Sequence, residues 1–403
     1  MELKIALRNV FRNRRRTAFS LTVIAVGTAV FLFVLAYVGE ALLSQRLSAA
    51  CETGAVQVAD ERLFANEANG YDALISAELQ QRVVALLARR SGVRGTAFEL
   101  DFAGLIGDAN GSTLIIGRGL TPCDCVPRTT CYAIEGMGLV GASSREGILG
   151  KRLAAKLGIG IGDSINIATG TVSGSFSAAT ATVVGELSYS LSTVEEQLGL
   201  FPIAFVQRLL KTDGVERILI GLDDLDKAPQ FADELRATFA GEGVSLGVRT
   251  WQDLSPGYAS SQSFFGAFSG LAGVSVFALV FFSVVEILTI SFLERTREVA
   301  TTRAFGASRW RVFRGFLLEG AMIGAIGAVI GVALASGLVE AFNAARITAT
   351  TPGSAVPQAI HLSLTLSTAL MPLVTVILAT LASSVYPAWK NARLSVVKAL
   401  QTV

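Results

Sequence analysis

Residues 17–39 read TAFSLTVIAVGTAVFLFVLAYVG, without one charged side chain. A helix rises 1.5 Å per residue, so about 20 apolar residues cross the hydrocarbon of a bilayer. The run fits a membrane span and exceeds the ~10–14 apolar residues of a helix buried in a soluble protein. It also exceeds the ~7–15 apolar residues of a signal-peptide core. Three more runs follow: Phe264 to Leu293, broken by Glu286; Gly315 to Val339, with Glu319 near its start; and Leu362 to Trp389. Only 16% of the 403 residues are charged, against about 25% in a soluble domain. That composition excludes a disordered chain, a basic nucleic-acid binder and a collagen-like fibre.

The net charge of +2 conceals an asymmetry. Lys4, Arg8, Arg12 and Arg14–Arg16 precede the first span. Arg295, Arg297, Arg303, Arg309, Arg311 and Arg314 lie between the second and third, and Lys390, Arg393 and Lys398 follow the fourth. Against these fifteen cations stand only Glu2, Glu294 and Glu298, giving +12, whereas Leu43 to Ser263 carries −7. Cytoplasmic flanks are the ones enriched in Lys and Arg. Both termini are therefore expected in the cytoplasm, with the large insertion on the outer side of an inner membrane.

The expected fold class is an α-helical membrane protein with four transmembrane helices and a large α+β domain inserted between the first two. Residues 1–16 are expected to form a cytoplasmic amphipathic entry helix, and 17–50 the first span and a stalk. Residues 51–255 form the extracytoplasmic domain in two subparts, and 256–293 a second stalk and span. Residues 294–314 are a cytoplasmic loop, 315–340 the third span, 341–361 an outer loop, 362–389 the fourth span and 390–403 a tail. Within the insertion, Gly95–Asp108 and Ser112–Gly119 flank Asn110-Gly111, a hairpin dipeptide. Asp72 to Arg90 reads as a helix with Asp72 as its cap. Lys151–Leu157 and Ala228–Phe239 also read as helices, and Ser164–Ala168, Arg217–Leu222 and Val244–Trp251 as strands. The Gly/Ser/Thr-rich stretch 169–180 reads as a mobile hairpin or loop.

No catalytic constellation is present. The chain has no G-x-x-x-x-G-K-[ST] phosphate loop, so it is not expected to hydrolyse ATP. The lone His361 has no second imidazole to build a metal site, and no metal is expected. Glu286, Glu319 and Glu340 read as interfacial ion-pairing groups at the ends of spans. All four cysteines fall in the outer segment, where disulfides form. Cys131 with Cys123 or Cys125 is the favoured bridge, because a Cys-x-Cys pair bridges itself poorly. A soft-metal thiolate site at these three cysteines is the alternative. Phe31, Phe33, Phe264, Phe265 and Phe268 could line an apolar cavity between the first two spans, or simply pack. Gly320, Gly324, Gly327 and Gly331 would let helices approach closely.

The loop from Glu294 to Arg314 reads ERTREVATTRAFGASRWRVFR, followed by GFLLEG. It reads as a basic helix, a break at Gly306-Ala307-Ser308, and a second short helix capped by Ser308. This segment resembles the inner loop of FtsX-like, or MacB-type, permeases of ABC transporters. Three other stretches resemble the same family: Ala6–Thr17, Gly147–Asp163, and Tyr386–Leu400 with its Tyr-Pro-Ala-Trp opening. Ala300-Thr301-Thr302 departs from the usual Gly-x-Leu, and Glu286 stands where Asn is common.

The resemblance implies that ATP and Mg are bound by a separate ATPase subunit, present in two copies, and that this chain holds no cofactor. It implies pairing with a second permease copy or paralogue in the bilayer, and no nucleic-acid partner. It assigns Arg303, Ala304, Gly306, Ala307 and Ser308 to the contact with the ATPase, whose motion would pass to the outer domain. Four spans and about this length look most like the lipoprotein-releasing (Lol-type) branch, and Thr53–Val58 resembles that branch too. That branch implies a periplasmic carrier. A tripartite efflux permease with an adaptor, or a signalling permease acting on an outer hydrolase or sensor kinase, are the alternatives.

Overall fold

A computed structural model describes residues 14–68, 70–108, 111–121, 132–139, 141, 144–189, 192–349 and 358–392. The expected entry helix before Arg14, Asn110, the three cysteines Cys123, Cys125 and Cys131, and the tail after Ala392 lie outside the described residues.

In chain order the elements are α1 (Arg14–Thr53), β1 (Val56–Ala59), α2 (Glu61–Phe64), α3 (Ala77–Leu87), β2 (Val93–Gly107) and β3 (Ser112–Leu120). Next come β4 (Ala133–Gly136), β5 (Glu146–Gly150), α4 (Lys151–Leu157), β6 (Ser164–Gly170) and β7 (Phe176–Ser188). Then follow α5 (Ser192–Glu195), β8 (Leu198–Pro202), α6 (Ile203–Leu210), β9 (Arg217–Leu222), α7 (Ala228–Glu242) and β10 (Gly247–Thr250). Three long helices close the chain: α8 (Pro256–Ala304), α9 (Arg309–Ala344) and α10 (Leu366–Ala392). The chain forms two compact units, a helical unit and a second unit made of the inserted domain, Leu42–Ser261, with Thr348–Gln358.

α1, α8, α9 and α10 are each long and apolar enough to cross a membrane. Their shared core is Ile24 from α1, Val280, Val284 and Leu288 from α8, Ile323 and Ala328 from α9, and Val376 and Ala379 from α10. Every helix also leaves large apolar side chains outward, among them Val26, Val274, Val329 and Val374. In water that would be costly; in lipid it is neutral.

The α9 glycines explain how close the helices lie. A β-carbon on Gly320 would fall 1.8 Å from Ser384 Oγ, and one on Gly324 would fall 2.3 Å from Thr380 Oγ1, both on α10. On the α1 side, a β-carbon on Gly327 would meet Ile24 Cγ2 at 2.6 Å, and one on Gly331 would meet Thr28 Cβ at 2.5 Å. The stripe therefore seats two neighbours. The buried hydroxyls are satisfied locally: Ser384 Oγ donates to Thr380 O at 2.6 Å and Thr28 Oγ1 to Ile24 O at 2.7 Å. In the last turn of α9, the Asn343 side chain donates to Leu362 O and accepts from Leu362 N, both at 2.9 Å.

The inserted domain is built on one ten-stranded mixed sheet, ordered β10-β1-β9-β2-β3-β8-β5-β7-β4, with β6 pairing to β2 and β7. The two subparts expected from sequence share this sheet. Strand β2 joins them, pairing with β9 through Val93–Glu99 and with β3 through Glu99–Gly107. The main core holds Leu100, Phe102 and Ile106 of β2, Val206 and Leu209 of α6, Leu235 of α7 and Trp251. A second cluster gathers Cys51, Tyr132, Ile148, Leu187 and Leu200.

Two sequence expectations need correction. The first helix of the domain starts at Ala77, capped by Ser76 rather than Asp72, because Ser76 Oγ accepts from Leu79 N. Residues 169–180 do form a hairpin, β6 pairing antiparallel with β7, and its turn is tied by hydroxyl contacts of Thr171 with Ser173 and Ser175. The segment after Ser308 is no separate short helix but the opening of the 36-residue α9.

Candidate functional site

The residues singled out by the loop motif form an elbow between α8 and α9. Helix α8 persists to Ala304, well past Ile290, where its apolar span ends. It stops in a Schellman motif. Gly306 takes φ +91°, its N–H donates to Arg303 O at 3.0 Å, and the Ala307 N–H donates to Thr302 O at 3.3 Å. A side chain is disfavoured at that φ, which is why glycine stands there. Ser308 then adopts an extended conformation, and its Oγ accepts from Arg311 N at 3.3 Å, capping α9. Arg303 and Ala304 end one helix, Gly306 and Ala307 make the reversal, and Ser308 starts the next. The five residues thus share one turn.

The side chains displayed by this turn are the more informative part. Phe305 is 87% exposed and Trp310 63% exposed, the latter stacked on Phe313 with ring centroids 5.2 Å apart. Arg309, Arg311 and Arg314 are exposed as well, and no acid lies in the first turn of α9. Cations at a helix N-terminus face the positive end of its dipole, so this end favours an anionic neighbour. Exposed aromatic and Arg side chains together are the composition of protein interface anchors. Sequence reasoning passed over Phe305 and Trp310. Two aromatic residues inside an Arg-rich loop were the available signal.

The five phenylalanines considered as cavity lining are not gathered in one place. Phe31 is fully buried in the helical unit, where a β-carbon on Gly273 would lie 3.0 Å from its Cζ. Phe33 meets Phe342 edge-on at 5.6 Å, and Phe264 meets Phe265 at the same distance. Phe264 and Phe268 are exposed. Of the three acids near the span ends, Glu319 is buried while Glu286 and Glu340 are exposed, and His361 is exposed. Among the described residues no cluster of His, Cys, Asp or Glu could hold a metal ion.

Cys51, omitted from the expected pairing, is disulfide-bonded and almost completely buried. It packs in the second cluster with Tyr132 and Leu187, which anchors the last turn of α1 in the inserted domain. Tyr189 reinforces this anchor by donating its hydroxyl to the Glu52 carboxylate. Burial, with that carboxylate, pushes the Tyr189 phenol up. Glu195 plays a similar local role, accepting from Arg152 N at 3.2 Å and from Tyr189 N at 3.0 Å, so that its carboxylate caps α4.

Comparison with known proteins gives four likenesses. Residues 270–396 match the family model "FtsX-like permease C-terminal". The lipoprotein-releasing system transmembrane protein LolC of Xylella fastidiosa (strain Temecula1) is 26% identical over 280 residues, which is 63% of this chain and 64% of that protein. The macrolide export ATP-binding/permease protein MacB of Campylobacter jejuni (strain 81-176) is 42% identical over 74 residues, or 18% of this chain and 12% of that protein. Among solved structures, the extracellular domain of the YknZ transporter is similar at TM-score 0.35 and 15% identity, covering 48% of this chain and 99% of that one.

Proposed function

We propose, from the match of residues 270–396 to the FtsX-like permease C-terminal model, that the chain is the permease subunit of an ABC transporter driven by a separate ATPase. The α8–α9 elbow is the contact for that ATPase. The observation that carries the reading is the capped turn itself, which presents Phe305, Trp310 and three arginines outward from two continuous membrane helices. A push on such a turn is passed along both helices without a flexible joint, and α8 begins directly after the inserted domain. The charge asymmetry supports a cytoplasmic elbow with both termini on the same side and the inserted domain in the periplasm.

Within this reading the substrate is a lipoprotein, released from the outer leaflet to a periplasmic carrier by two permeases working with two ATPase copies. The likeness to LolC supports that choice because it extends over 63% of this chain, whereas the likeness to MacB is confined to 74 residues. An acyl chain leaving the bilayer forfeits about 0.8 kcal/mol per CH₂, which is work an ATPase must supply.

The test is release of a labelled lipoprotein from proteoliposomes holding the permease, its ATPase and a soluble acceptor. Discharge that requires both ATP and acceptor is the expected result. ATP hydrolysis with no discharge, but with export of a macrolide or peptide when an adaptor is added, would replace this reading by efflux.

A further inference from the structure

Six strands of the inserted domain close on themselves. β2 pairs with β3, β3 with β8, β8 with β5, β5 with β7, β7 with β6, and β6 returns to β2. The ring is a small barrel, filled by Phe102, Ile106, Ile115, Ile167 and Phe201 of the main core. Its outer wall along β8 and β5 is covered as well, by the second cluster, through Leu200 and Ile148. The outer wall along β3, β2, β6 and the first half of β7 is bare.

Strand register arranges that bare wall as two apolar rows. Leu114, Leu105, Ala168 and Ala178 stand side by side across four strands. Two residues further along the same face, Ile116 lies opposite Ala103 and Phe176 opposite Gly170. Leu114 is 63% exposed and Phe176 75% exposed, and Leu105, Ile116, Ala103 and Ala178 are exposed too. Hydrophilic groups begin only at the next row on either side. One of these rows holds Ser112, Asn166 and Thr180, with Thr180 Oγ1 donating to Asn166 Oδ1 at 2.9 Å. The other holds Asp101 and Arg118, paired at 3.1 Å. Contiguous exposed apolar side chains with a polar rim mark a contact surface.

Size and backbone decide what fits. Four residues at about 3.4 Å and four strands at about 4.8 Å give a band of about 14 by 19 Å, or about 270 Å². A stable protein partner covers about 800 Å² on each side, so the band alone is too small for a second copy. An extended peptide gains no backbone pairing there, because a closed ring has no strand edge to extend. A hydrocarbon chain needs apolar contact and nothing else. Ala168 and Gly170 on β6 lack bulk between Leu105 on β2 and Phe176 on β7, which leaves a shallow trough for it. We propose that this band is a transient binding surface for a saturated acyl chain of the cargo, an inference that rests on the lipoprotein reading above.

The test uses the full chain in lipid nanodiscs, with a diazirine-bearing palmitic acid as the probe. Photolabelled peptides should include 103–116 and 168–178, at yields well above those of the polar helix α7. Leu114→Asn combined with Phe176→Ser should cut labelling of the band by about tenfold and leave labelling of α8 unchanged. Both side chains are largely exposed, so the double variant should keep its fold, which an unchanged thermal melt verifies. Band labelling no higher than that of α7, or labelling that the double variant leaves unchanged, overturns the proposal.

A second arm reads the surface from the protein side. p-Benzoylphenylalanine placed at Phe176 should crosslink to the acyl chains of a lipoprotein during ATP-driven release. Crosslinks to a second copy or to the soluble acceptor in their place assign the band to a protein and overturn the proposal. Fatty-acid labelling needs neither ATP nor cargo, so the band and the lipoprotein reading fail separately. Labelling without release removes the lipoprotein reading and supports an acyl-binding surface, whereas release without labelling removes the surface alone.

Discussion

Replacing Gly320 by Ala is the sharpest test of how the four long helices pack. The added β-carbon would lie 1.8 Å from Ser384 Oγ and 2.9 Å from Ser384 Cβ. Both are closer than real β-carbon contacts come, the first by far the more severe. Overpacking of this kind costs about 1–3 kcal/mol. The Ser384 hydroxyl cannot simply swing away, because it donates to Thr380 O at 2.6 Å. Ser384→Ala alone gives up that local bond, about 0.5–1.5 kcal/mol. In the double variant the severe overlap is gone, so the two changes together should cost less than their sum by about 1–2 kcal/mol. The assay is equilibrium unfolding of the full chain in bicelles, run as a four-member cycle. Strict additivity, or a Gly320→Ala variant as stable as the wild type, would refute the close approach of α9 and α10.

Other expectations follow from single contacts. Ser308→Ala removes the α9 cap and should cost about 1 kcal/mol, seen as faster hydrogen exchange confined to Arg309–Val312 while membrane insertion is unchanged. Glu195→Gln keeps one acceptor oxygen for two backbone donors, Arg152 N and Tyr189 N, and should lower the stability of the inserted domain by about 1–3 kcal/mol in a thermal melt. For pH, the sign is set by Glu216, whose carboxyl is pushed by burial up to about 7 from its ordinary 4.5. The folded state holds the proton more tightly, so its contribution is full below pH 4.5 and is lost as pH rises towards 7, by up to about 3 kcal/mol. Denaturation midpoints of the wild type should fall over that window, and those of Glu216→Gln should not.

The membrane helices were legible because lipid demands long runs without charge, and four such runs stand out in the sequence. The elbow was legible too, since Gly306 and Ser308 mark a helix stop and a helix start by local rules alone. What escaped depends on distant partners. Glu99 and Arg217 are 118 positions apart, and no local pattern pairs them. The α9 glycines suggested close packing, but not that Ser384 and Thr380 fill one side while Ile24 and Thr28 fill the other. Helix α6 was missed because it has only eight residues and follows a strand directly, too short a stretch for a helical period to be read against the ~11–18 residues such a pattern needs.

The central claim is that the elbow receives a separate ATPase, and Phe305 tests it most directly. At 87% exposure its side chain contributes little to the fold, so Phe305→Ala should leave stability within about 0.5 kcal/mol of wild type. As an interface anchor worth about 2 kcal/mol or more, its loss should weaken binding of the ABC ATPase to the chain in nanodiscs by about 30-fold. An ATPase that binds wild type and Phe305→Ala equally, or binds neither, would contradict the account.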